Sequence, residues 1–538
     1  MMATMSIPAL YVDRIGGMME NTLQAESGVE FDVDPVSVAI RLRPAQRAGI
    51  EERFADTDPP RTWDLARGPR VTRLLRNRKF QFALILPNQL VFWLVVISGF
   101  AGTVDPGLNF GTAITWYLWF CLVFVMMVVA GRAWCAMCPF GGFAEWLQRR
   151  TFWQRTQKTL GLGLKVPEPV ARYGFVLAVG TFLLLTWIEE FFNIAGPGQP
   201  MATSWMVIGI VATAVTFFLV FERRSFCRYF CPLTALIGSV GAMGSVAGFR
   251  TRDREVCVSC TTKDCMRGNE KGYGCPWYTW PGSAETNLSC GLCTECFKTC
   301  PSDNVGLFVQ RPLSSVITPH RRRADVAWSI VLLWGLVLYQ QLNSTSIYTS
   351  FDSWLNGGLH FPHYPDPAAY VGIILGASAL FGAGAWVLSR FLVRRDIELS
   401  GGEGTFVDRK SRFRALFLPL AYCVVPVVGA DYFARQLPKF FEFVPRLIPA
   451  IGHPFGFGSA HSALYNTSLL GTTGIVTAQV VVIALGTAAA LWATWRIGTR
   501  ELVPVSGRPV LMRAATMGIV LVSGAGAISF YLIMHAAT

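Results

Sequence analysis

The chain has 538 residues, of which 52% are hydrophobic and 15% charged, and its mean hydropathy is +0.40. That balance excludes an ordinary multidomain soluble protein and points to a bilayer. The net charge of +13 would suit a nucleic-acid partner, but the basic residues gather beside apolar runs, as cytoplasmic membrane loops do, so no nucleic acid is expected.

Residues 1–79 are rich in Arg and Pro and lack the continuous apolar stretch of a signal peptide, so they read as a cytoplasmic tail. Nine segments then reach the length and apolarity of an α-helical span: near 81–102, 111–131, 170–190, 202–221, 326–343, 368–390, 414–432, 475–496 and 513–533. Pro419 and Pro426 interrupt the seventh, which membrane helices tolerate. Arg76, Lys79, Arg149, Arg224, Arg322 and Arg394 all fall on one side of the alternation. Loops 103–110, 191–201 and 344–367 on the other side contain no Lys or Arg. The N-terminus is therefore expected inside and the C-terminus outside. A long outer loop at 433–474, carrying Arg435, Lys439 and Arg446, breaks the pattern.

The expected fold is an α-helical polytopic membrane protein with a small cytoplasmic, ferredoxin-like α+β insert that holds two [4Fe–4S] clusters. The chain divides into a tail (1–79), a four-helix membrane unit (80–249), the two-cluster domain (250–310) and a further membrane unit of about five helices (311–538).

Cysteine spacing carries the chemistry. Cys290-x2-Cys293-x2-Cys296-x3-Cys300-Pro301 is the bacterial ferredoxin run. Its short intervals let one loop wrap a cubane and supply three thiolates. Upstream, Cys257-x2-Cys260-x4-Cys265-x9-Cys275-Pro276 keeps the closing Cys-Pro but lengthens two intervals, which leaves a four-thiolate zinc or smaller iron site as its alternative. In two-cluster ferredoxins the fourth cysteine of each run ligates the other cluster. That rule gives one cluster to Cys257, Cys260, Cys265 and Cys300 and the other to Cys290, Cys293, Cys296 and Cys275.

Two further pairs close the second and fourth spans: Trp134-Cys135-x2-Cys138-Pro139 and Phe226-Cys227-x3-Cys231-Pro232. This weak repeat would bring four candidate metal-binding or redox thiols to one membrane face. Cys121 and Cys423 stand alone in apolar segments and read as ordinary buried residues. His360, His363, His453 and His461 fall in outer loops, and Glu189 and Glu190 end the third span as candidates for proton transfer. The last five spans show few buried charges, which favours a docking or quinone role over an ion path.

The cysteine motifs over roughly residues 80–310 resemble those of the NapH/NosR group of polyferredoxin-like membrane iron–sulfur proteins, with the CcoG (RdxA, FixG) group more distant. The resemblance implies an inner-membrane electron-transfer component of a respiratory system. Such a component works between a quinone pool or cytoplasmic donor and a respiratory or periplasmic redox protein. The competing expectation is a metal-handling factor that reduces metal for the maturation of a respiratory metalloenzyme. Residues 325–538 have no counterpart in the resemblance.

Overall fold

The computed structural model describes residues 62–537 apart from 155–159, 195–199, 285, 320–321, 344, 360–365 and 395–408. Arg155, Lys158, His360 and His363 lie outside the described residues.

Two short elements precede the membrane: strand β1 (Thr62–Asp64) and helix α1 (Pro69–Arg76). The first membrane unit follows as α2 (Lys79–Ala101), α3 (Phe110–Ala130), the short α4 (Trp134–Met137), α5 (Pro139–Arg149), α6 (Gly174–Phe191), α7 (Pro200–Val220) and α8 (Pro232–Gly241). Strands β2 (Val246–Thr251) and β3 (Val305–Gln310) bracket the cysteine-rich segment. The second unit comprises α9 (Ala324–Leu342), α10 (Pro367–Leu392), α11 (Arg409–Cys423), α12 (Val425–Phe443), α13 (Thr472–Ile497) and α14 (Pro509–Ala537). Among the described residues, nine helical segments are long and apolar enough to cross a bilayer, as expected.

The seventh segment differs from its expectation. Helix continues past the expected end at 432 through α12 and on to Gly452, with Pro438 inside it. Arg435 and Lys439, expected in a solvated loop, are thus carried on a membrane helix, where they line an internal cavity. Asp431 on the same helix is 3% exposed. The second unit therefore holds more buried charge than its hydropathy implies.

The N-terminal segment also departs from a simple tail. β1 pairs antiparallel with β3, opposing Thr62 to Gln310, Trp63 to Val309 and Asp64 to Phe308. β2 flanks the other side of β3, giving the order β1-β3-β2. Asp64 accepts from the Ala66 N–H at 2.8 Å and pairs with Arg252 at 2.7 Å. The expected boundaries at 79 and 249 therefore cut through one small sheet.

The two membrane units are tied on the cysteine side, where the Phe175 N–H of α6 donates to the Asp325 carboxylate of α9 at 3.5 Å. Within the second unit, Arg322, ahead of α9, makes a two-pronged ion pair with Glu501, at 2.8 and 2.5 Å, and its guanidinium lies 4.3 Å from the Tyr422 ring centroid. A continuous apolar core spans both units, from Phe124 on α3 through Leu333 on α9 to Leu420 on α11.

Candidate iron–sulfur and thiol site

The two membrane cysteine pairs are built alike. Cys138 and Cys231 each precede a proline, which forces them from helical into extended backbone (φ −63°, ψ 123° and φ −58°, ψ 122°). Pro139 and Pro232 then occupy the first helical position of α5 and α8. Backbone N–H groups of Gly141 and Phe140 bond the Cys138 thiol, and that of Leu233 bonds the Cys231 thiol. The unequal spacing of the pairs has a local cause. Phe226–Phe230 forms a π-helical turn, in which the Cys231 N–H donates to the Phe226 carbonyl at 2.8 Å. One extra residue is absorbed without changing where the second thiol emerges.

These four thiols converge. Cys138 is in electrostatic reach of Cys135 and Cys227, Cys227 of Cys231 and Cys135, and Cys231 of Cys138 and Cys135. A side chain at Gly141 would stand 3.2 Å from the Cys227 sulfur, so glycine keeps that approach open.

In the cysteine runs above them, Cys265 lies in reach of Cys257 and Cys300, then of Cys275 and Cys260. Cys296 lies in reach of Cys275, Cys293 and Cys290, and more weakly of Cys265. Several donors approach the sulfurs: the Asn304 backbone N–H to Cys300 at 3.3 Å, the Asn304 amide to Cys257 at 3.4 Å, and the N–H groups of Thr279 and Trp277 to Cys275. Such second-sphere donors stabilise negative charge on cluster sulfurs. Gly248, at φ +97°, lets β2 pass within 3.0 Å of Cys290, measured from where a Cβ would sit.

Burial pushes the Cys138, Cys227, Cys231, Cys265 and Cys293 thiols up to about 12, so each stays protonated until a cation takes the place of its proton. Among the described residues, no three Cys, His, Asp or Glu side chains stand close enough to hold one metal ion.

Between the two cysteine runs and the membrane quartet lies a buried basic layer. Arg224, 1% exposed, bonds Glu145 at 2.5 Å and the Cys135 carbonyl at 3.4 Å, and it lies in electrostatic reach of both Cys227 and Cys293. Arg132 donates to the Leu288 carbonyl and stacks 4.6 Å from the Trp277 ring centroid. Arg228 pairs with Glu222 at 2.9 Å and lies over Tyr278 at 4.4 Å. Burial alone would raise the Glu145 carboxyl, but Arg149 and Arg224 overcome it and hold it down to about 2. This layer sets positive charge where thiolates and clusters add negative charge.

The other candidates divide. Glu189 and Glu190 line a cavity of about 580 Å³ between the two membrane units, which the Cys231-Pro232-Leu233 step also lines. Arg435 approaches Glu190 at 3.8 Å. His453 bonds the Gly458 carbonyl at 2.9 Å, His461 is exposed, and neither lines the cavity. Cys121 and Cys423 are buried in the membrane helices, as expected. Arg132, Arg224 and Arg228 stand beside the cysteine pairs in the sequence, where they are expected to favour thiolate, and the structure buries them as this layer. The cavity has no such local signal, because its walls come from helices far apart in the chain.

A 4Fe–4S binding domain family model matches the chain twice, over residues 112–158 and 201–246. Each match carries one membrane cysteine pair, and both leave Cys257–Cys300 outside. The two repeats support iron–sulfur cofactors, two [4Fe–4S] clusters, in a chain whose apolar helices suit a bilayer. No curated protein and no solved structure matches.

Proposed function

We propose that this chain is a respiratory electron relay of the inner membrane, with its cysteine face toward the cytoplasm. Arg76, Arg149, Arg224 and Arg322 all lie on that face, which supports the orientation. One cluster is assigned to Cys257, Cys260, Cys265 and Cys300, and the other to Cys290, Cys293, Cys296 and Cys275. The membrane quartet Cys135, Cys138, Cys227 and Cys231 is a further redox-active site. Bound in these sets, iron–sulfur clusters supply one-electron carriers.

The observation that carries this reading is serial placement. Cys265 of the first set lies in electrostatic reach of Cys275 of the second, Arg224 lies in reach of both Cys293 and Cys227, and Cys231 of the quartet lines the membrane cavity. The protein's own residues keep the path dry, orient the thiols and compensate their charge. A redox protein docks at the cluster domain, and the other exchange partner lies in the membrane or beyond it.

Iron and acid-labile sulfide in detergent-purified protein test the assignment. About eight of each are expected for the two clusters, and about four of each would remove the irregular set. EPR with redox titration should show two interacting [4Fe–4S] signals, and Cys257→Ser and Cys290→Ser should each alter a different one. A deletion strain separates function from assembly. A metallated but electron-starved partner enzyme supports the relay, whereas a partner lacking its metal supports the metal-handling reading.

A further inference from the structure

At the end of α9 away from the cysteine pairs, a further helix, Ser346–Leu359, starts shortly after Leu342 closes the span. Its residues turn about 100° each and divide among three directions. Tyr348 and the half-buried Leu355 face the protein, where the Tyr348 ring meets that of Tyr339 edge-on at 5.8 Å. Thr349, Ser350 and Ser353 are exposed and polar. Between these two faces runs an exposed apolar stripe, Ile347, Phe351 and Trp354, at positions i, i+4 and i+7. Trp354 is 74% exposed and stacks with Phe351 at 6.1 Å. Asp352, the one charged residue of the helix, is half-buried and lies off the stripe.

A second element on the same face is built alike. The short helix Leu447–Gly452 follows α12, and its Ala450 is buried in a cluster with Ala113, Trp116 and Tyr117 of α3. Ile448 and Ile451, one turn apart, are exposed instead. Gly456, at φ +81°, then turns the chain between Phe455 and Phe457, and Phe457 is 88% exposed. From Leu447 to Gly471 the sequence has no Asp, Glu, Lys or Arg. The Tyr465 hydroxyl ties this segment to Asp105, between α2 and α3, at 3.0 Å, beside the exposed Val104.

A helix that is apolar on two adjacent sides needs cover on both, and the protein supplies only one. Continuity with the bilayer selects the other. Each segment starts within four residues of the end of a membrane helix. A protein-facing side, an apolar side and a polar side in succession are what a helix lying flat in the interface presents to protein, lipid and water. Trp354 belongs at headgroup depth. Arg is enriched at protein interfaces, and neither segment contains one. We infer that Ser346–Leu359 and residues 447–457 are seated in the lipid leaflet opposite the cysteine face. Ile347, Phe351, Trp354, Ile448, Phe455 and Phe457 enter it. With no Lys or Arg in either segment, insertion is apolar and reads no headgroup charge. The two segments fix the depth of the second membrane unit.

The test footprints full-length protein in phosphatidylcholine nanodiscs with two reagents, a lipid-partitioning photoactivated diazirine and hydroxyl radicals generated in the water, read by peptide mass spectrometry. Trp354, Phe455 and Phe457 should take the diazirine label. They should react several-fold less with hydroxyl radicals than Trp63, which is exposed on the strand β1. Adding phosphatidylglycerol to the discs should change neither pattern. Trp354→Asp alters a side chain outside the core, and it should cut diazirine labelling of its peptide several-fold at unchanged iron content. Hydroxyl-radical labelling of Trp354 and Phe457 equal to that of Trp63 overturns the inference. Protection from both reagents also overturns it, because a second copy or another protein then covers the stripe. Labelling that depends on phosphatidylglycerol overturns the indifference to headgroup charge.

Discussion

Glu145 is 2% exposed and sits between Arg149 and Arg224, one turn along α5 and across on the loop before Cys227. Removing its charge leaves two guanidinium groups buried beside the thiols. Glu145→Gln should therefore lower stability by about 3–5 kcal/mol, measured as a drop in the thermal unfolding midpoint in detergent. The pH dependence has a defined sign. The folded carboxyl is held at about 2 against an ordinary 4.5, so its contribution is complete above about 4.5 and fades as pH falls toward 2. Melting curves from pH 5 down to pH 3 should show wild type converging on the variant. At this scale the cysteines were legible because ligand spacing is a property of short segments, and Cys290–Cys300 can be read without any fold. The membrane cavity was not, because its walls come from helices far apart in the chain.

At the scale of elements, the membrane helices could be read from apolar length alone, which is local. α12 was cut short because Pro438, Arg435 and Lys439 imitate a loop, and only the cavity beside it explains why a helix keeps them. The π-helical turn at Phe226–Phe230 is the element most open to test. Deleting Phe230 would equalise the two cysteine spacings and return the turn to α-helical geometry with the thiols still in phase. The expected outcome is a retained quartet, seen as an unchanged maleimide labelling rate of Cys227 in peptide mass spectra. Faster labelling would mean that the extra residue is needed to place the thiol.

In the whole molecule, the cluster domain and the first membrane unit are interleaved rather than joined end to end. Asp64 on β1 holds Arg252, whose guanidinium also donates to the Asp303 carbonyl at 2.6 Å. Asp64→Ala should therefore speed iron loss to a chelator, and a chain beginning after Gly68, which lacks β1, should lose iron faster still. Equal rates in all three proteins would show that the strand does not support the clusters. β1 could not be anticipated, since three residues in an Arg- and Pro-rich stretch carry no strand pattern and their partner lies far along the chain.

The strand order also sets a timetable for synthesis. β1 leaves the ribosome before the first span, while its partner β3 emerges only after the fourth, and β3 must lie between β1 and β2. The first four spans are therefore made before the sheet can close. Cys290, Cys293, Cys296 and Cys300 emerge immediately ahead of β3. On the proposed assignment, iron–sulfur loading is in consequence a late event in the life of this chain, completed only after the residues of the first four spans have been made.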